Sequence, residues 1–447
     1  MVPSAVILRR CVPAGVALIV TGLYALLSVV RFQRFAVVSW DNAIFEQAVK
    51  SYAAGHMPIV DVKAPGFNVL GDHFSPVIAV LAPIYRVFPS AYTILLAQCV
   101  LIGISVWVVS RLAIDVLPLG WGVVIGVCYG LSFGLQTAVA ADFHEISFAV
   151  PLLALAGAAY LRGDMNKVIA WSLPLLVVKE NMGVTVAAIG VVLWWAGHRV
   201  RGYVMVAVGV VATILVVWVI VPSFNPSSQY DYLGKLDGGG AQALLEQPAL
   251  KLSTLAATFA VTGFLALRSP WVILVIPTFA WRFAGDDAAY WGMEYHYSAV
   301  LMPIVFVAMI DAMSRTEVSK WMRQWIRVAP AVALGVVVAF AAGSPLWDLT
   351  KPGSWQPNTR ERAAEETISQ LPDGASVQTD IGLMTHLVSD HTVYWIGSNH
   401  TVRPDYVLLE PGRFGSPDDV AEYATSTFGG SWKRVSANGP FRLYVSR

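Results

Sequence analysis

The stretch VVSWDNAIFEQAVKSYAAGHMP, residues 37–58, places the carboxylate of Asp41 directly after a tryptophan at the end of the first long apolar segment. A carboxylate whose pKa and orientation are set by its surroundings can take a proton from a hydroxyl nucleophile, which is the general-base step of a group transfer. Asp41 can equally cap the free N–H groups of a helix that follows it. The local sequence leaves both roles open.

Two further stretches place acids and histidines beside apolar segments. They are LGDHFSP, with Asp72 and His73, and ADFHEIS, with Asp142, His144 and Glu145. The three residues of ADFHEIS are candidate ligands of a divalent metal such as Mg or Mn, because oxygen and imidazole ligands suit these ions, but their spacing does not require a metal. Each histidine could also be an ordinary loop residue bonded to the backbone.

Cations and aromatic rings are available as well. Lys179 and Glu180, in the motif KEN, interrupt a long apolar stretch, and Lys179 could either neutralise a phosphate or pair with Glu180. A second polar and aromatic group of substrate-binding candidates comprises Arg282, Glu294, His296 and Tyr297. Its rings are equally typical of a membrane-interface belt. The loop at residues 227–240 contains glycines that would permit mobility, so it could close over a substrate or be a plain flexible loop.

Composition identifies the elements that must position these residues. Hydrophobic residues make up 56% of the 447 residues and charged residues only 13%, with a mean hydropathy of +0.60, so a multi-spanning membrane protein is predicted. The net charge of +1 gives no support to a nucleic-acid partner. The three cysteines lack the paired spacing of a disulfide framework or a thiolate metal site.

Apolar segments and the distribution of Lys and Arg predict a multi-pass protein of the plasma or inner membrane with about 11 membrane segments. Spans are predicted near residues 12–31, 91–110, 117–139, 147–161, 203–222, 253–267, 271–284, 296–313 and 328–343, with two half-helices meeting at KEN within 168–196. Arg9 and Arg10 before the first span place the N-terminus in the cytoplasm. The candidate residues then all emerge on the extracytoplasmic side.

Two extracytoplasmic elements follow from residue patterns. Residues 42–54 have apolar residues at helical spacing, which predicts an amphipathic helix lying in the membrane interface with Glu46, Gln47 and Lys50 on its polar side. The transmembrane domain is predicted to occupy residues 1–343, and residues 344–447 to form a small α/β domain outside the membrane. In that domain RERAAEETISQLPDG indicates a helix, and ASVQTD, TVYWIG, PDYVLLE and FRLYVSR indicate strands.

The motifs DNAIFEQA (D-x-x-x-F-x-Q), GDHFSP, FHE and KEN resemble those of a family of uncharacterised prokaryotic membrane proteins, catalogued as a domain of unknown function, over roughly residues 35–410. An acidic residue just past the first span, an interfacial helix behind it and a second acidic loop also resemble the GT-C superfamily of integral membrane glycosyltransferases. An α-helical polytopic GT-C-like fold is therefore expected.

The GT-C resemblance implies transfer of a sugar from a polyprenyl-phosphate donor to a glycan, lipid or protein acceptor of the cell envelope, with inversion. Asp41 would be the catalytic base, and Asp142 and Glu145 would correspond to the second acidic motif. The first motif here has one Asp where relatives have paired acids, so metal dependence does not follow. Phosphate is a good leaving group, so a cation such as Lys179 or Arg282 would suffice to stabilise it.

Two alternatives come from other functional classes. A transporter or flippase of a lipid-linked glycan intermediate would use the same polar residues without making a bond, but it should show paired broken helices in two related halves and polar sites near the midplane. The sequence contains one clear broken pair, and its charges gather at one face. The other alternative is a non-catalytic assembly factor whose external domain recruits cell-envelope enzymes.

Overall fold

The computed structural model describes residues 3–37, 40–232, 243–315 and 319–447. The chain is mostly helical, with a bundle followed by a small sheet region. The α-helices before residue 345 are Pro3–Gln33, Trp40–Ala53, Ala82–Val87, Ala91–Val116, Leu119–Gly130, Phe133–Ala140, Ala149–Leu161, Met165–Ser172, Met182–Trp195, Arg199–Leu215, Val221–Phe224, Pro248–Ala260, Val275–Ala284, Ala288–Trp291, Leu301–Ser314 and Lys320–Ala341. Thr359–Ile368 and Val420–Phe428 are the α-helices of the C-terminal region.

Within the described residues, five helices are long and apolar enough to cross a membrane. They are Arg9–Gln33, Ala91–Val116, Leu119–Ala140, Arg199–Phe224 and Lys320–Ala341. Shorter apolar helices are Pro76–Val87, Glu145–Leu161, Met165–Val177, Met182–Trp195, Pro270–Ala284 and Leu301–Ser314. The span predicted at 253–267 is instead a 13-residue helix, Pro248–Ala260, which is shorter than the roughly 20 residues of a perpendicular span.

The long apolar stretch around KEN is broken, as predicted. A helix over Met165–Ser172 continues as a 3₁₀-helix to Val177, and a new α-helix begins at Met182. The second half packs closely on Arg199–Leu215, because a Cβ added to Gly209 would lie 2.4 Å from the carbonyl oxygen of Gly183. Small residues at such crossings let helix backbones approach within the bundle.

The Leu301–Ser314 helix forms the centre of the bundle. Its residues from Leu301 to Ile310 are all buried, which is typical of a helix surrounded by other helices. A Cβ added to Gly157 would clash with Val307 in this helix, and a Cβ added to Gly134 would clash with the carbonyl oxygen of Ser298 just before it. The segment of residues 292–300 is therefore held at its C-terminal end by a buried helix.

The C-terminal region contains a five-stranded sheet of order β2-β1-β3-β5-β4. The strands are β1 (Ser376–Thr379), β2 (Thr392–Trp395), β3 (Tyr406–Leu409), β4 (Trp432–Asn438) and β5 (Phe441–Ser446). β1 pairs in parallel with β2 and β3, while β5 is antiparallel to β3 and β4. The four predicted strands and the predicted helix are confirmed, and the helix starts with a capping box formed by Asn358 and Glu361. β4 and the Val420–Phe428 helix were not predicted.

The predicted interfacial helix differs from expectation. It spans Trp40–Ala53, and Glu46 and Gln47 are buried instead of facing water. The side chains of Gln47 and Lys50 donate to main-chain carbonyls of the C-terminal region, including Val393 and Val388. The polar face thus packs against protein, because an amphipathic pattern shows that a helix has two faces but not what covers the polar one. Asp41 lies inside the first turn and does not precede the helix.

Candidate functional site

A cavity lies where the predicted polar loops meet. Its volume is about 610 Å³, which falls within the range of small-molecule sites. Six of the predicted site residues line it: Asp41, Asp142, His144, Glu294, His296 and Tyr297. The wall is completed by Arg31 at the end of the first helix, by Thr137, Ala140 and Ala141, and by the segment that leaves the last long helix, including Lys351.

Asp41 and His144 form an ion pair at the wall of this cavity. Nε2 of His144 lies 3.1 Å from Oδ2 of Asp41, and the His144 side chain is only 5% exposed while that of Asp41 is 39% exposed. Burial alone would raise the pKa of Asp41, but the charge and hydrogen bond of His144 outweigh burial and hold that pKa below its usual range. In return, Asp41 holds the pKa of His144 above its usual value despite the burial of the ring.

The backbone around His144 is fixed from a neighbouring helix. Nδ1 of His144 lies 3.1 Å from the carbonyl oxygen of Asp142, so both ring nitrogens face acceptors and the doubly protonated ring is favoured. The amide of Gln98, in the Ala91–Val116 helix, donates to the same Asp142 oxygen and accepts from the backbone N–H of His144. The ring therefore has a fixed orientation toward Asp41.

Asp142 adopts an unusual backbone conformation at this turn. Its φ of 73° lies in the left-handed region, which Asp tolerates better than most residues. Its side chain is 3% exposed, and burial raises the pKa of this carboxyl to about 7 against the opposing charges of Arg31 and His144. The protonation of Asp142 can therefore change near neutral pH.

His296 stacks on His144. The ring centroids are 3.6 Å apart, and burial together with the charge of His144 lowers the pKa of His296, so its ring is neutral. Nδ1 of His296 is buried and has no hydrogen-bond partner among the described residues. A buried imidazole nitrogen without a partner is uncommon in folded proteins, and here it belongs to a residue that lines the cavity.

Arg282 does not line the cavity but organises the loop that does. The guanidinium is fully buried and donates to the carbonyl oxygens of Tyr290 and Gly292, at 2.7 and 2.5 Å, and to the hydroxyl of Ser298 at 3.2 Å. These contacts span the segment that carries Glu294, His296 and Tyr297. Arg282 therefore holds this loop in position.

A second polar cluster adjoins the cavity. Lys179 pairs with Glu145, whose carboxylate lies 2.5 Å from Nζ, and not with its neighbour Glu180. Glu180 instead lies 3.6 Å from Nδ1 of His73 and accepts from the hydroxyl of Tyr230 at 3.2 Å. Burial would raise the pKa of Glu180, but His73 and Lys179 lower it to about 2.

The remaining members of the cluster form a chain of contacts. Asp72 accepts from Lys63 at 2.7 Å and lies 3.4 Å from Nε2 of His73. That same nitrogen is 3.2 Å from the hydroxyl of Tyr232. The pKa of His73 is raised because Asp72 and Glu180 outweigh the effect of burial. Asp72, His73, Glu145, Lys179 and Glu180 therefore lie together, beside the cavity and not on its wall.

The proposed metal ligands do not converge. The two nitrogens of His144 are directed to the Asp142 carbonyl and to Asp41, while Glu145 is directed to Lys179. Within the described ranges, no group of three or more His, Cys, Asp or Glu side chains has an arrangement that could hold a metal ion. Asp142, His144 and Glu145 in this geometry do not fit a divalent metal.

Several residues of the two clusters were missed from the sequence. Arg31 and Lys351 line the cavity, and Lys63, Tyr230 and Tyr232 belong to the second cluster. Arg31 lies at the end of the first span that was predicted to be extracytoplasmic, where the positive-inside rule does not expect a cation, so its position was a usable signal. Tyr230 and Tyr232 belong to the loop predicted to be mobile, whose residues 233–240 lie outside the described residues.

Comparisons with known proteins address the fold and the family. No curated protein matches the chain. The solved structure of ArnT from Cupriavidus metallidurans, bound to undecaprenyl phosphate, is similar with a TM-score of 0.57 and 13% identity, covering 99% of this chain and 98% of that chain. This likeness shows an ArnT-like fold. A family model described as "Predicted membrane protein (DUF2079)" matches residues 31–435, and the chain therefore belongs to the DUF2079 family.

Proposed function

We propose that this protein is a membrane glycosyltransferase that transfers a sugar from a polyprenyl-phosphate-sugar donor to a cell-envelope acceptor outside the cytoplasm. The observation that carries the proposal is the Asp41 carboxylate, held by the buried His144 ring at the wall of a cavity that also exposes the Arg31 guanidinium. Asp41 supplies the general base, and Arg31 supplies the positive charge for a phosphate.

Arg31 is suited to an anionic ligand. It forms no ion pair with the described residues, and its Nε is buried without a hydrogen-bond partner there. Lys351, which also lines the cavity, is already paired with Asp348 at 2.6 Å. The similar protein ArnT was solved with undecaprenyl phosphate, which supports a polyprenyl phosphate as the ligand of this fold. A guanidinium can hold two phosphate oxygens at once.

The reaction follows from these groups. The hydroxyl oxygen of the acceptor attacks the anomeric carbon of the donor sugar while the bond from that carbon to the phosphate oxygen breaks. Asp41 accepts the hydroxyl proton, and polyprenyl phosphate leaves as an anion stabilised by Arg31. Because attack and departure occur on opposite faces of the sugar in one step, the configuration at the anomeric carbon inverts. No step requires a metal.

His144 and the loop of residues 294–297 complete the site. His144 keeps Asp41 ionised at the cavity wall, and in this proposal His296, which lines the same cavity, contacts the sugar. Trp40 and Tyr297 on the cavity wall can stack on sugar faces. In this proposal Arg282 positions the loop.

The second cluster acts through the turn that carries His144 and Glu145. The ion pair of Lys179 with Glu145 anchors the residue that follows His144. Glu180, His73 and Asp72 continue this network to the loop of Tyr230 and Tyr232. We assign to this cluster a positioning role that supports substrate binding from beside the cavity, with Lys179 as a supporting positive charge.

The proposal is tested with a panel of radiolabelled polyprenyl-phosphate sugars offered to membranes that contain wild type, Asp41→Asn or Asp373→Asn at equal expression. Asp373 is an exposed residue of the C-terminal region and serves as the matched control. We expect label in endogenous acceptors with wild type and Asp373→Asn, and its loss with Asp41→Asn. No Asp41-dependent label from any donor, together with carrier movement across the membrane, would favour the transporter alternative.

A further inference from the structure

A second cavity lies at the other end of the bundle. Its volume is about 350 Å³, and its wall is formed by Tyr160, Trp195, Ala196, Leu267, Arg268, Ser269, Pro270, Val272, Ile273 and Arg315. Tyr160 stands near the end of the apolar helix Glu145–Leu161, whose first residue adjoins His144. At 1.5 Å per residue this helix separates the two cavities by roughly 22 Å, so the second cavity is distinct from the candidate active site.

The wall of the second cavity carries excess positive charge. Arg268 is exposed and forms no hydrogen bond or ion pair with the described residues. Arg315 pairs with Asp311 at 2.8 Å, and its side chain remains 41% exposed. Between them the helical segment Pro270–Ala284 begins at the cavity wall, after Ser269 caps its first turn. Two guanidinium groups therefore face one space.

The rest of the wall is apolar and aromatic. The side chains of Trp195 and Leu267 are 65% and 54% exposed, and Val272 and Ile273 lie deeper in the wall. The Tyr160 ring stacks on the buried Trp271 at 5.0 Å. A soluble anion would make no favourable contact with this apolar rim. A lipid would place its headgroup at the arginines and its chains along Trp195 and Leu267.

We propose that the second cavity binds the phosphate headgroup of an anionic membrane lipid, with Arg268 and Arg315 as the contacts to the headgroup. Basic pockets between helices at a membrane surface are suited to such headgroups. The proposal concerns a site remote from Asp41 and does not depend on the reaction proposed for the first cavity.

Binding is measured by titrating the detergent-solubilised full-length chain with phosphatidylglycerol, phosphatidylcholine or inorganic phosphate and counting bound molecules by native mass spectrometry. Three variants are compared with wild type: Arg268→Gln alone, Arg268→Gln with Arg315→Gln, and Arg323→Gln with Arg327→Gln. The last pair removes two exposed charges from the start of the next helix without touching the cavity. The single variant leaves the Arg315–Asp311 pair intact, so it reports on the site even if the double variant folds poorly.

We expect wild type to bind phosphatidylglycerol in preference to phosphatidylcholine, and the cavity double variant to bind it about 30-fold more weakly. Arg268→Gln should lose part of this affinity and the control pair almost none. Equal binding by wild type and both cavity variants would overturn the proposal, as would an equal loss in the control pair. Arginine-dependent binding of inorganic phosphate without binding of phosphatidylglycerol would overturn the lipid as the ligand.

Discussion

The imidazole of His144 lies between two acceptors, with Nε2 3.1 Å from the Asp41 carboxylate and Nδ1 3.1 Å from the carbonyl oxygen of Asp142. The two residues are far apart in sequence and meet only because the loop of residues 141–147 folds onto the first turn of the Trp40–Ala53 helix. This pair makes the ionisation of Asp41 depend on His144, and it gives the site a defined dependence on pH.

His144→Gln should weaken the transfer reaction about 10- to 100-fold near neutral pH, since the charged hydrogen bond to Asp41 is lost. The acid limb of the pH–rate profile should also move to higher pH, because the partner that lowers the pKa of Asp41 is gone. His56→Gln, at an exposed position just after the Trp40–Ala53 helix, is the control. An unchanged acid limb in His144→Gln would show that His144 does not tune Asp41.

The same pair contributes to stability with a definite sign. The pKa of Asp41 is lowered in the folded protein, so its contribution is present above the usual Asp pKa of about 3.9 and is lost as the pH falls through the lowered value. The pKa of His144 is raised, so its contribution is full below about 6.5 and is lost as the pH rises through the raised value. The melting temperatures of wild type and His144→Gln should therefore become equal at alkaline pH.

Arg31→Gln should raise the KM for the donor about 10-fold or more, because a charged contact to the phosphate is removed. Arg31→Lys should recover part of this loss, since it keeps the charge but not the paired geometry of the guanidinium. Arg86→Gln, an exposed arginine outside the cavity, provides the control. Equal KM values for Arg31→Gln and wild type would place the phosphate elsewhere, with Lys179 the next candidate.

The hydrogen bonds between the Trp40–Ala53 helix and the C-terminal region should stabilise the packing of that region on the helix that carries Asp41. Gln47 donates to the Val393 carbonyl, and Lys50 donates to the carbonyls of Val388 and His391. Gln47→Ala with Lys50→Ala removes these hydrogen bonds and should lower the free energy of unfolding by about 3 kcal/mol. Limited proteolysis should then release the C-terminal region sooner than in Lys433→Ala, which alters an exposed lysine. Equal proteolysis rates would contradict this role.

Glu46 should make this interface weaker as the pH rises. Burial raises its pKa to about 7, even though the hydroxyls of Ser389 and Tyr85 bond to the carboxyl. The folded protein retains a proton that the unfolded chain loses above its usual pKa near 4.5, so stability should fall between about pH 4.5 and 7. Glu46→Gln should flatten the dependence of the melting temperature over this range, while Glu365→Gln, at an exposed position, should not. A Glu46→Gln curve parallel to wild type would contradict the assignment.

The fold was predictable where one physical signal dominated. Long apolar segments identified the membrane helices, and runs of β-branched and aromatic residues identified four strands. β4 was missed because Lys433, Arg434 and Val435 are exposed, so no apolar alternation marks this edge strand. The polar face of the Trp40–Ala53 helix was misplaced because its pattern is the same whether water or the C-terminal region covers it.

The candidate site was predictable by residue type but not by pairing. Carboxylates and histidines near apolar ends indicated which loops matter, and several of them share one cavity. The partner of Lys179 is Glu145 and not the adjacent Glu180, because the chain turns back on itself at the helix break. Spacing along the sequence carries no information about such contacts between distant segments.

The most direct test of the central claim is the single-turnover rate of sugar transfer by purified protein in proteoliposomes, measured for wild type and Asp41→Asn with the donor identified from the panel. Donor binding is measured in the same preparations. We predict a rate lower by about 10²- to 10⁴-fold for Asp41→Asn with donor affinity nearly unchanged, since a general base acts on the acceptor hydroxyl and not on donor binding. Transfer at the wild-type rate by Asp41→Asn would contradict the account.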